Sequence, residues 1–145
     1  MKGLVIKNWE IIKTGPRPLA YLLLTVLFVT VHSFLLGFFI YFFPGNFYRL
    51  FFAHTVENIF FVRQAGLFLM LSALFYLYPL LDFLNNRKII PLIILSKTFA
   101  VIFLLTNAGQ IPVPLMAFLA ALGDGTMALI LGFYYKLCNR EKYFG

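Results

Sequence analysis

The chain has 145 residues, of which 62% are hydrophobic and 12% charged, and a formal net charge of +7. Soluble domains carry about 25% charged residues, so this composition, with a mean hydropathy of +0.91, excludes one and points to an integral membrane protein. The positive charge does not indicate a nucleic-acid binder, because the basic residues gather at the ends of apolar stretches, where membrane orientation needs them.

Residues 4–13, LVIKNWEIIK, predict a short amphipathic helix. Leu4, Val5, Trp9, Ile11 and Ile12 share one face, and Lys2, Lys7, Glu10 and Lys13 share the other. Such a helix lies in the membrane interface with its tryptophan at headgroup depth. The alternative is a frayed cytosolic tail. Gly15-Pro16-Arg17-Pro18 then breaks the helix and turns the chain.

Leu19–Phe43 is an uncharged apolar run, too long for a signal-peptide core and without an A-x-A-like cleavage site, so it reads as a retained first span. Pro44-Gly45 ends it. Residues 46–57, NFYRLFFAHTVE, predict a short interfacial helix capped by Asn46 and contributing to an aromatic belt. The second span is expected over 58–81, ending near Pro79 and Asp82, and is followed by the turn FLNNRK. The third covers 89–106, and NAGQIPVP connects it to the fourth, 114–137, which opens on Pro114. Cys138, the single cysteine, falls just past this span and excludes an internal disulfide.

The expected fold is therefore all-α: an integral membrane four-helix bundle in one domain, with a short N-terminal interfacial helix. Four spans place the N-terminus, the 82–88 turn and the C-terminus on one side. That side holds Lys2, Lys7, Lys13, Arg17, Arg87, Lys88, Lys136, Arg140 and Lys142, so it should be cytoplasmic. A bacterial or archaeal cytoplasmic membrane is the expected location.

Ionisable groups inside spans need partners or a purpose. Asp124 sits mid-span, within AFLAALGDGTMALILG. Ala117, Ala121, Gly125, Ala128 and Gly132 fall in one narrow helical sector with Asp124 at its edge. Such a row of small residues admits a neighbouring helix, so the acid should point inward. An aspartate is too short to reach an interface from mid-span. Lys97, about one helical turn away in depth, is its first candidate partner; snorkelling to the cytoplasmic headgroups is the other reading. His32 lies at the depth of Asp124, either as a second partner or bonded to a nearby carbonyl or hydroxyl. Arg63, in the outer part of the second span, either reaches water, phosphates and Glu57 or contacts an anion. His32 and His54 are at different levels, which argues against a bis-His haem site, and His54 with Glu57 is too few ligands for a metal. No phosphate-loop, nucleophile-elbow or zincin motif is present.

The four-span layout, the Arg63-Gln64-Ala65-Gly66 opening of span two, Lys97 in span three and Gly123-Asp124-Gly125 in span four together resemble the DoxX-like group of small membrane proteins. The resemblance implies a link to thiosulfate or quinone redox chemistry, with quinone as cofactor and Arg63 and Asp124 as the positions carried over. No cysteine stands at a redox position, which argues against sulfur chemistry. Three functions follow as expectations. The first is a non-catalytic accessory subunit, bound to other membrane subunits or to copies of itself. The second is a quinone-associated redox protein whose pocket draws on Lys97, His32 and Asp124. The third is a small transporter or lipid-binding protein that uses Asp124.

Overall fold

A computed structural model describes residues 8, 10–52 and 58–144. Among these residues the secondary structure is helical throughout, with no strand. The long helices are α1 (Arg17–Phe42), α3 (Phe60–Leu81), α5 (Ile90–Asn107) and α6 (Pro114–Arg140). Short helices α2 (Pro44–Phe52) and α4 (Phe83–Asn86) lie between them. Among the described residues, four helices are long and apolar enough to cross a membrane, the third candidate running from Phe83 to Gln110 through α4 and α5.

Proline sets several of the helix starts. α1, α5 and α6 each carry one at the first or second helical position, where the missing N–H has no intrahelical partner in any case. Pro44 opens α2 in the same way, so Asn46 stands inside that helix and is not its N-cap as the sequence predicted. The predicted continuation to residue 57, with His54 and Glu57, lies outside the described residues, as do Leu4, Val5, Trp9, Lys2 and Lys7. Residues 10–14 are helical, with Ile11 buried and Glu10 and Lys13 exposed, as an amphipathic segment requires.

The predicted 82–88 turn is itself helical. Asp82 caps α4 by accepting from the backbone N–H of Asn85 at 3.5 Å and from its Nδ2 at 2.7 Å. A 3₁₀ turn at Arg87–Ile89 leads into α5. α3 runs through Pro79 to Leu81, and its last carbonyls find side-chain donors: Asn8 Nδ2 donates to the oxygen of Leu80 and Asn86 Nδ2 to that of Tyr78. Helix α6 continues past Leu137 and takes in Cys138, which is fully buried rather than beyond the span.

The helices associate in pairs. α1 packs along α3, α5 along α6, and α1 against α6 joins the two pairs. The N-terminal segment, the α3–α5 junction and the C-terminus share one end: Asn8 reaches Leu80, and Arg87 donates to the carbonyl of Phe144 at 2.6 Å with its guanidinium over that ring. At the far end the N–H of Val113 donates to the carbonyl of Phe51. Most fully buried side chains belong to the first end, among them Leu22, Val26, Phe83, Ile90, Ile93 and Leu131. The outer faces are apolar, with Phe75 72% and Leu129 75% exposed, which fits contact with lipid.

The tightest helix crossing uses two glycines that the small-residue row did not contain. A Cβ on Gly37 would lie 2.7 Å from the carbonyl oxygen of Gly66, and one on Gly66 would lie 2.6 Å from the backbone nitrogen of Tyr41. Hydrogen in place of a side chain lets α1 and α3 touch backbone to backbone. In the predicted row, Ala117, Ala121 and Ala128 are buried. A Cβ on Gly125 would make an ordinary 3.6 Å contact with Val101, and one on Gly132 would meet nothing. Gly132 is therefore not a close-approach position.

Gly37→Ala is expected to cost about 1–3 kcal/mol through overpacking. Gly132→Ala should be neutral or stabilising by about 0.5–1 kcal/mol, since helix propensity alone changes there. Denaturation of both variants in detergent checks this; equal losses would contradict the assigned crossing.

Candidate functional site

Three polar side chains share one level because of where they fall on their helices. Lys97 stands ten residues before Asn107, the last residue of α5. Asp124 stands ten residues after Pro114, the first of α6. His32 stands ten residues before Phe42, the last of α1. At 1.5 Å per residue each lies about 15 Å from the far end of its helix, so antiparallel packing of α5 on α6 puts lysine and aspartate side by side.

Lys97 Nζ donates to Asp124 Oδ1 at 2.7 Å. The lysine side chain is 5% exposed and the aspartate 17%. Of the two sequence readings of Lys97, the structure shows the ion pair and not a stem extended to an interface. His32 stands at the same level on α1. It makes no hydrogen bond with the pair: among the described residues its Nδ1 is buried without a partner, and its ring packs on Phe28 at 6.0 Å. Thr25, on the same face, bonds the carbonyl of Tyr21 instead.

Two further residues belong to this layer. Tyr76 Oη and Ser96 Oγ are 2.6 Å apart and tie α3 to α5. The sequence held one usable signal for this contact, a serine directly before the buried lysine. Arg63 is elsewhere. It is the fourth residue of α3, exposed, and lines a separate crevice with Gln64, Asn58 and Tyr41.

Above the polar layer, toward the far end, the packing opens into a cavity of about 710 Å³. His32 and Asp124 are its deepest polar groups, while Asn107 and Gln110 stand at the far-end connection. The walls are apolar and aromatic, from Leu36, Phe39 and Ile40 of α1, Phe47, Leu50 and Phe51 of α2, and Phe103 and Leu104 of α5. Gly123 and Ala120 of α6 leave the space open: a Cβ on Gly123 would meet nothing within 4 Å. This volume lies in the usual range for small-molecule sites of roughly 300–1,000 Å³, and a few polar groups in apolar walls are the usual lining. Among the described residues no group of three His, Cys, Asp or Glu side chains is placed to hold a metal.

Removing one partner of a buried ion pair leaves the other charge unsatisfied, which costs about 3–5 kcal/mol. Asp124→Asn should lose stability on that scale, and the double variant Lys97→Met with Asp124→Leu should recover most of it. A double-mutant cycle in bilayer mimetics measures the coupling; an Asp124→Asn variant as stable as the wild type would contradict the pairing.

No family model matches this chain, and no curated protein or solved structure matches it, so the geometry of the site carries the functional reading.

Proposed function

We propose that this protein is a four-helix integral membrane protein that binds a lipophilic small molecule, with both termini on the cytoplasmic side. The observation that supports it is the cavity of about 710 Å³ whose apolar walls end on His32 and Asp124. A space of this kind inside a lipid-facing protein suits a molecule with a hydrocarbon body and one polar group. The orientation rests on the basic residues, which concentrate at the end shared by the N-terminus, the α3–α5 junction and the C-terminus. Asp124 serves here as part of the cavity floor, with Lys97 neutralising its charge.

A quinone is one lipophile compatible with such a cavity, and the DoxX-like resemblance makes it a natural probe beside ordinary lipids. The accessory-subunit reading has its own observation. Ala121, Gly125 and Thr126 line a shallow crevice between α5 and α6, where small residues would admit a helix from another chain.

Gly123→Phe separates the two readings, because Gly123 lines the cavity and a Cβ there meets nothing within 4 Å, so a large side chain takes up cavity volume. Native mass spectrometry from lipid nanodiscs should show a lipophile retained by the wild type and lost from Gly123→Phe at unchanged helical content. Equal retention by both, or none by either, would contradict the binding reading.

A further inference from the structure

Resting on that reading, the geometry points to the class of ligand: we propose that the cavity takes a neutral lipid alcohol, oriented with its hydroxyl inward against His32 and Asp124. Charge decides the first half. Asp124 is the charged residue among those lining the cavity, and Lys97 already neutralises it at 2.7 Å. A cationic head would bring a second positive charge beside the ammonium that already neutralises the carboxylate, and an anionic head would sit beside that carboxylate with no lysine or arginine among the described lining residues. Both also lose their hydration in an apolar chamber, at far greater cost than an uncharged polar group. The floor therefore selects for a head without net charge.

Hydrogen bonding decides the second half. Lys97 engages Oδ1 of Asp124, so Oδ2 remains to accept a bond. His32 lines the cavity, and its Nδ1 is buried without a partner among the described residues, which leaves Nε2 as the ring nitrogen that can serve a ligand. The tautomer with hydrogen on Nε2 leaves a bare lone pair at the buried Nδ1. The other tautomer would bury an N–H without an acceptor, the rarer of the two defects. The floor then offers one donor at His32 and one acceptor at Asp124. A hydroxyl group both donates and accepts, so its chemistry matches a floor that holds one acceptor and one donor. An ester, an ether or a quinone carbonyl satisfies the histidine alone, and a hydrocarbon satisfies neither. Buried polar groups left unpaired are what make such a site reject the wrong head.

The test uses matched twelve-carbon probes on the full chain in nanodiscs: dodecanol, dodecanoate, dodecyltrimethylammonium and dodecane at equal mole fraction in the lipid. Dodecanol should raise Tm by several degrees and the other three by less than a third as much. His32→Leu should remove the dodecanol shift, while His32→Gln, which keeps a side-chain donor, should retain most of it. Gly123→Phe should show no shift with any probe. Equal shifts from dodecane or from the ammonium would overturn the alcohol assignment while leaving a lipophile site in place. No shift from any probe would overturn the binding reading as well.

Discussion

The rest of the structure depends on a charge that cannot stay alone in an apolar medium. An unpaired aspartate at mid-span costs about 2.5–3.5 kcal/mol on insertion scales, and a lysine costs a similar amount. Bringing Lys97 and Asp124 to 2.7 Å offsets both costs with one contact, and the contact exists in one register of α5 on α6. An apolar helix pair slides with little change in packing energy; an ion pair in low dielectric does not. The pair thus fixes the relative height of two helices whose remaining surfaces are almost uniformly hydrophobic. A buried pair is poor evidence of net stability, and setting register is its better-attested role.

That fixed level divides the molecule. On the side of the chain ends, Leu22, Val26, Val29, Phe83, Ile90, Ile93 and Leu131 fill the interior, and the helix termini are closed by Asn8, Asp82 and Arg87. On the other side the glycine crossing of α1 and α3 holds one helix pair together, while α5 and α6 leave a chamber walled by Phe39, Phe47 and Phe103. Ala120 and Gly123 leave room beside the acid that no side chain fills. The polar layer is therefore both the upper limit of the packed half and the floor of the open half. Under the proposed function, a structural role and a ligand-facing role fall on the same carboxylate.

Much of this arrangement is legible in the residues. The uncharged run from Leu19 to Phe43 and the proline at 114 locate two of the long helices to within a few residues, because length and a missing N–H act locally. The depth of Lys97 relative to Asp124 makes them candidate partners before any contact is seen. The packing faces are far less legible. A helix apolar on every side has no preferred stripe, so periodicity cannot say which residues turn inward. Gly37 and Gly66 are single glycines in separate helices, with no spacing pattern to mark them, and their meeting depends on a crossing that only tertiary structure sets. Gly132 fits the spacing rule and faces open space, since the rule gives angular position and not the presence of a neighbour. Asn46 shows a local competition: a proline two residues earlier starts α2 first. The cavity is illegible for a related reason. It consists of volume that no side chain occupies, and sequence records only the side chains that are there.

The most direct measurement is a solid-state NMR distance in lipid bilayers between the ¹⁵Nζ of Lys97 and the ¹³Cγ of Asp124, helped by the presence of just two aspartates in the chain. The pair described here requires strong dipolar coupling, matching the 2.7 Å contact between ammonium and carboxylate. Absence of coupling, with the lysine ammonium instead close to lipid phosphorus, would contradict the account at its base.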